Sequence, residues 1–314
     1  MLRIWTGIQP QPEGDMKKST RKLVIAAAVF AGVIVAGVIG LNVWRHSLGD
    51  VRIPEATQLN ESTYRFSDGL NVTQQYLIVG TTGALLIDTG NGLNDLPAAI
   101  GEITDLPVTV VNTHGHYDHT HGNHYFDDVY LSEDEADVYH DYNQPETIEA
   151  VLPDVPAPLR WLTRYADDAT MAMPTSDDFL PLPETGSFDL GDRRISIVPI
   201  PGHTPGSIGL IDEKVGALYA GDMVAQGGVL LDLPESLSVS TYRDSIRRLE
   251  QLADEGDFDV VYPGHADPLD SSFLKKLDHP ATDLIEGDVS AEVLDSGHYE
   301  LDGATLSFRA SNIQ

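Results

Sequence analysis

The sequence predicts an α/β domain, its sheets sandwiched between helices, behind one apolar segment long enough to cross a membrane. Three observations predict this. Strand-like and helix-like patterns interleave from residue 61 onward. Residues 23–41 (LVIAAAVFAGVIVAGVIGL) are 19 positions without a charge. The 314 residues are 41% hydrophobic and include no Cys. That supports a buried core in one large or two small domains, and it removes disulfides, thiolate ligands and a cysteine nucleophile.

Taken in order, residues 1–22 read as a cytoplasmic tail and 23–41 as a transmembrane helix. The run has no polar stripe, unlike a buried core helix of that length. Lys17, Lys18, Arg21 and Lys22 precede it, which keeps the short tail in the cytoplasm and puts the rest of the chain outside. Trp44 follows as an interfacial anchor. The alternative is a signal peptide, with Met16 as a possible start and cleavage at Ser47-Leu48-Gly49 releasing a secreted protein that begins at Asp50. Residues 42–60 read as a linker and 61–314 as the domain.

Within the domain, residues 72–79 (VTQQYLIV) and 84–88 (ALLID) read as strands around a turn at Gly80 and Gly83. Residues 93–103 suit a helix, and 108–112 (VTVVN) a buried strand. Residues 133–142 and 146–165 look helical, the second broken by Pro153, Pro156 and Pro158. Residues 194–200, 207–212 and 217–220 are strands again. Residues 240–255 form an amphipathic helix with a Tyr242, Ile246, Leu249, Leu252 stripe, and 259–262 (DVVY) a further strand.

The net charge is −30, and it is uneven. After residue 45 the chain carries only three Lys (Lys214, Lys275 and Lys276) and is strongly acidic. Such a surface repels nucleic-acid phosphates, so a nucleic-acid partner is not expected. The acids are scattered, which reads as a solvated face.

The chemistry concentrates in Thr113-His114-Gly115-His116-Tyr117-Asp118-His119, directly after a strand. His114 and His116, two apart, can point the same way, with Gly115 allowing a close turn between them. Asp118 and His119 can aim at a second point. Imidazole and carboxylate suit zinc, iron or manganese. Three more candidates each follow a strand and a glycine: His203 in Pro201-Gly202-His203, Asp222 in Ala220-Gly221-Asp222, and His265 in Pro263-Gly264-His265. Strand ends can bring such ligands to one rim. His121 and His124 read as solvent-exposed, and His46, His140, His279 and His298 have no motif around them. Tyr117 lines the pocket or packs. Pro205-Gly206-Ser207-Ile208-Gly209 has Pro where a nucleophile elbow needs Gly, and no phosphate-binding loop signature is present. Asn60-Glu61-Ser62 and Asn71-Val72-Thr73 match glycosylation sequons.

With these residues the chain resembles the metallo-β-lactamase-fold hydrolases, through HxHxDH at 114–119, the later His203, Asp222 and His265, and Asp88-Thr89-Gly90 after a strand. The resemblance covers residues 62–268. It implies a four-layer αββα sandwich with a two-metal site at one edge. One metal would be held by His114, His116 and His203 and a second by Asp118, His119 and His265, with Asp222 bridging. Asp88 would either orient ligands by hydrogen bonds or be an ordinary turn residue.

The implied activity is metal-dependent hydrolysis of a small-molecule ester, thioester, lactone or phosphodiester, with two divalent ions, zinc or else iron or manganese, and with Asp118 orienting a hydroxide. The family's true β-lactamases generally lack the bridging Asp, and its glutathione-thioesterases carry a larger C-terminal region than the 49 residues after His265. Alternatives are a mononuclear iron persulfide dioxygenase using His114, His203 and Asp222, a β-lactamase, and a non-catalytic metal-binding protein.

Overall fold

A computed structural model describes residues 54–67, 73–92, 94–144 and 179–314. Residues 1–22, 23–41 and most of 42–60 lie outside the described residues, as do the expected helix at 146–165 and the Asn71 sequon. Among the described residues no helix is long and apolar enough to cross a membrane.

The first sheet starts as an antiparallel meander of β1 (Thr57–Asn60), β2 (Thr63–Ser67), β3 (Gln74–Val79) and β4 (Ala84–Ile87). It continues in parallel through β5 (Val108–Val111), β6 (Val129–Leu131) and β7 (Leu180–Pro181). β1 falls inside the stretch expected to be linker. Its four residues are exposed or half-buried, so they give no apolar signal, and it stands at the sheet edge. β3 and β4 are almost wholly buried, as strands covered on both faces must be; β4 reads as a continuous apolar run, and β3 does so from Tyr76 onward.

The second sheet orders β14 (Leu269–Asp270), β13 (Val260–Pro263), β11 (Ala217–Gly221), β10 (Ile208–Asp212), β9 (Arg194–Pro199) and β8 (Ser187–Asp189). Side chains alternate between faces, which divides the core into three layers. Tyr76, Ile78, Leu85, Ile87 and Val111 of the first sheet meet Ile195, Ile208, Leu210 and Tyr219 of the second. The outer face of the first sheet (Leu77, Leu86, Val110) packs on α1 (Leu96–Gly101) through Leu96, Ala99 and Ile100. The outer face of the second (Ile211, Leu218, Val261) packs on two longer helices. The first, α4 (Val239–Glu255), does so through Tyr242, Ile246 and Leu249. The other, α5 (Phe273–Glu286), does so through Leu274 and Leu277. The layers are therefore helix, sheet, sheet, helix.

Two short helices, α2 (Tyr117–Thr120) and α3 (Ala136–Tyr142), sit between β5 and β7. The expected helix at 93–103 is trimmed to α1 because Asp95 caps it, accepting from the Ala98 N–H, and Pro97 occupies its first turn. The helix expected from residue 133 begins as a tight 3₁₀ turn over Glu133–Glu135. A third, small sheet of β12 (Val229–Leu231), β16 (Ala304–Phe308) and β15 (His298–Leu301) covers α5, with α6 (Ala291–Ser296) preceding it. The C-terminal residues thus complete the core around Leu277, Leu306 and Phe308.

Candidate metal centre

Every candidate ligand leaves the C-terminal end of a strand, and topology places those ends on one rim. β4 and β5 are parallel, so Asp88 and the 114–119 loop emerge side by side. β9 and β11 are both antiparallel to β10 and therefore run the same way, while β13 is parallel to β11. His203, Asp222 and His265 follow these three strands. The two sheets meet where Thr73 bridges His265 and the Gln74 N–H donates to the Gly264 carbonyl at 2.7 Å.

The seven residues converge. Donor atoms of His114, His116 and His203 lie within 4.8 Å of one another, as do those of His114, His119 and Asp222, and those of Asp118, His119 and His265. His116 Nδ1 is 3.1 Å from His114 Nε2 and 3.0 Å from His203 Nε2. Asp222 stands between the groups, its carboxylate 3.3 Å from His119 Nε2, 3.4 Å from His265 Nε2 and 3.7 Å from His203 Nε2. Asp118 Oδ2 is 3.4 Å from His265 Nε2.

The outward nitrogens show which atom each ring turns toward the centre. His203 Nδ1 lies 2.7 Å from the Leu230 carbonyl and His119 Nδ1 2.8 Å from Asp88 Oδ2, so each carries its proton outward. His116 Nε2 likewise faces Glu235 Oε1 at 2.8 Å. The Thr113 hydroxyl donates to Asp88 Oδ2 at 2.9 Å and so accepts from His114 Nδ1 at 3.1 Å. The inward nitrogens of neutral rings are then bare lone pairs crowded together. His119 Nε2 and Asp222 Oδ1 are buried and face each other at 3.3 Å without hydrogen-bond geometry. Such a set of buried imidazoles and carboxylates fits one or more divalent cations.

Charge divides between the two halves. Burial, with the imidazoles of His119 and His116, holds His114 well below the usual histidine range, and burial with His116 pushes His203 down to about 4. Burial also opposes charge on His265 and His119, but the carboxylates outweigh it. Asp222 and Asp118 bring His265 up to about 10, and Asp222, Asp88 and Asp118 raise His119 well above its ordinary value. Without a cation, the carboxylate-rich half is balanced by protons on its histidines.

Asp88 is tied into the loop that carries the candidate ligands. Its carboxylate takes the Thr113 N–H at 2.7 Å, the Thr113 hydroxyl and His119 Nδ1, and its backbone sits at φ 61°. That left-handed conformation is uncommon outside glycine but tolerated by Asp.

Several other residues brace the loops with no signal in the sequence motifs. Glu135 is wholly buried and accepts the Gly115 N–H at 2.7 Å and the Gly206 N–H at 2.6 Å, joining the 114–119 loop to the His203 loop. A Cβ on Gly115 would stand 2.7 Å from the Tyr139 nitrogen, so glycine is required there. Asn112 donates to the His119 carbonyl and Asn123 to Asn112, while the Thr89 hydroxyl meets Asn123. The Thr73 hydroxyl donates to Asp118 Oδ2 at 3.3 Å. Glu235 also accepts from the Tyr142 hydroxyl at 2.6 Å.

His121 departs from its expected exposure. It is buried, because the loop at Gly92 closes over its ring, and its carbonyl receives His124 Nδ1 at 2.7 Å. His124 and Tyr117 are half-buried, and His140, His279 and His298 are exposed.

Comparison with known proteins agrees with this geometry. Residues 68–265 match the family model described as metallo-beta-lactamase superfamily. The acyl-coenzyme A thioesterase MBLAC2 of Gallus gallus is 32% identical over 228 residues, covering 68% of this chain and 79% of that protein. The probable metallo-hydrolase MJ0888 of Methanocaldococcus jannaschii is 32% identical over 205 residues, 62% of this chain and 88% of that protein. Among solved structures, a metallo-beta-lactamase from Pontibacter korlensis superposes with a TM-score of 0.51 at 20% identity, covering 71% of this chain and 95% of that one. TTHA1623 in a di-iron-bound form gives 0.51 at 24%, covering 68% and 98%.

Proposed function

The chain belongs to the metallo-β-lactamase superfamily, and from that premise we propose that it is a membrane-anchored, two-metal hydrolase of thioesters, with oxygen esters and lactones as the second substrate class. The observation that carries the reading is the convergence of four histidine rings whose outward nitrogens are all engaged, so that their inward nitrogens point toward one another and toward Asp222. In this reading His114, His116 and His203 hold one cation, Asp118, His119 and His265 the other, and Asp222 lies between them. The thioester preference rests on the likeness to MBLAC2 proteins, named acyl-coenzyme A thioesterases, at 32% and 31% identity.

When bound, the cations supply a hydroxide at neutral pH and polarise the carbonyl under attack. The protein's part is positioning. Asp118 accepts a hydrogen bond from the nucleophile and aims it, and Thr73 fixes that carboxylate from behind. Asp88, Thr113, Leu230 and Glu235 hold the four rings in the tautomers that face inward. Burial of the ligands in a low-dielectric rim strengthens each of these interactions.

The anchor is residues 23–41, with the basic tail in the cytoplasm and the hydrolase outside. The test uses the full chain, solubilised in detergent and loaded with zinc. Two zinc ions per chain and turnover of a short acyl thioester are expected, both lost in His116→Ala and Asp222→Ala. Retained turnover in both variants overturns the reading, and a single iron per chain favours dioxygenase chemistry instead. Recovery of the chain in the soluble fraction, starting at Asp50, overturns the anchor.

A further inference from the structure

Glu235 stands outside the ligand set, in the segment between β12 and α4, yet it touches that set directly. Its Oε1 lies 2.8 Å from His116 Nε2, with the two side chains 14% and 6% exposed. The same oxygen accepts from the Tyr142 hydroxyl at 2.6 Å, and the Tyr142 ring lies 4.2 Å from that of His116. Both are bonds that a carboxylate oxygen accepts, one from a ring N–H and one from a phenol O–H.

His116 differs from the other two rings of its group in the nitrogen it turns inward. It presents Nδ1, while His114 and His203 present Nε2. A histidine binding through Nδ1 keeps its Nε2–H for a partner on the far side of the ring, and here that partner is a carboxylate. His203 and His114 have only a carbonyl and a hydroxyl in the corresponding place. The ionised partner makes the stronger hydrogen bond and raises the electron density on the inward nitrogen most.

We propose that Glu235 is a positioning residue that sets cation affinity at the His114, His116, His203 position, and that Tyr142 acts on the same position only through Glu235. The proposal rests on the metal-centre reading above, but it concerns affinity and not turnover. Tyr142 closes α3 and Glu235 precedes α4, so the contact ties together two segments far apart in sequence. Rotation of Glu235 away from His116 would free the ring to turn about its Cβ bond, and holding Glu235 from its other side prevents that.

The experiment measures zinc affinity by competition with a chromophoric chelator, on the full chain in detergent, for the wild type, Glu235→Gln, Tyr142→Phe and the double variant. Removing a partner that orients a ligand weakens metal binding by about 10–100-fold. Glu235→Gln is expected to weaken one of the two zinc equivalents by that factor and leave the other within about twofold. Tyr142→Phe is expected to produce a smaller loss at the same equivalent, about three- to tenfold, and no further loss in the Glu235→Gln background. Cobalt substitution gives a second readout, since visible absorption of the ion held by three histidines should change in Glu235→Gln and not in a surface control such as Asp244→Asn. Wild-type affinity in Glu235→Gln overturns the proposal, and so does a Tyr142→Phe loss that adds fully to the Glu235→Gln loss. A wild type that binds two zinc ions tightly but hydrolyses no thioester, ester or lactone would defeat the functional reading and leave this one standing.

Discussion

Replacing Glu135 should damage the fold and the metal centre together, because one buried carboxylate holds two ligand loops. Its oxygens take the Gly115 N–H at 2.7 Å and the Gly206 N–H at 2.6 Å. A hydrogen bond to an ionised group contributes about 1.5–3 kcal/mol, and a buried donor left without a partner forfeits at least that. Glu135→Ala leaves both buried N–H groups without their acceptor, so a loss of about 3–6 kcal/mol is expected. Glu135→Gln keeps one acceptor, turns an NH₂ toward the second N–H, and relieves the burial of a charge. Its loss should be smaller, about 1–3 kcal/mol.

The pH dependence carries its own signature. Burial raises Glu135 above its unfolded value of 4.5, so the native state binds its proton more tightly than the unfolded chain does. The stabilisation from this group is complete below 4.5 and declines as pH rises through the folded value. Urea unfolding of metal-free protein from pH 4 to 7 measures both effects. The wild type should show this declining contribution and Glu135→Gln should lack it. If Glu135→Ala unfolds within about 0.5 kcal/mol of the wild type, the staple has no energetic content and the reasoning from buried N–H groups is wrong.

Two further outcomes follow from the rim. In the metal-free chain at pH 7, His265 and His119 are charged while His114 and His203 are neutral, so zinc binding should release about two protons from these histidines, with the ion at Asp118, His119 and His265, and about one more from the water that becomes hydroxide. Calorimetry in buffers of differing ionisation enthalpy measures the total, and release of about one or none refutes the charge assignment. A methyl group on Gly264 would collide with Asp222 Oδ1 and stand 2.8 Å from His119 Cε1, so Gly264→Ala should lose zinc with little change in far-ultraviolet circular dichroism. Wild-type zinc content in that variant refutes the packing argument.

The sequence disclosed the candidate ligands more fully than the residues that brace them, and the reason is physical. A ligand loop announces itself because glycine and histidine cluster where a strand ends, as at Gly202-His203 and Gly264-His265. Buried strands such as Ala84–Ile87, and the second half of Gln74–Val79, announce themselves as apolar runs. Glu135 gives a false local signal. Ser132 and Glu135 have the spacing of a helix cap, and Ser132 does accept from the Asp134 N–H, but the glutamate points inward to loops far away in sequence. Glu235 and Tyr142 carry no local signal, since their partners are 119 and 93 residues away. The edge strands at Thr57–Asn60 and Leu180–Pro181 have no fully buried residue, so hydrophobic periodicity cannot mark them.

The placement of polar groups explains why a layered sandwich can hold a centre this demanding. The two sheets meet through an apolar layer, which has no directional preference and permits sliding. Register between them has to come from directional contacts at the rims. At one rim Arg193, which precedes β9, binds Asp212 at the end of β10 and the Ser62 and Thr63 hydroxyls of the first sheet, and both members of the ion pair are fully buried. At the other rim, where β9 ends, the first sheet supplies His114, His116, Asp118 and His119 and the second supplies His203, Asp222 and His265. A one-residue slip of β9 against the first sheet would break the Arg193 contacts and move His203 by about 3.3 Å, more than the spacing between donor atoms can absorb. The buried arginine and the cation site therefore fix the same degree of freedom from opposite ends.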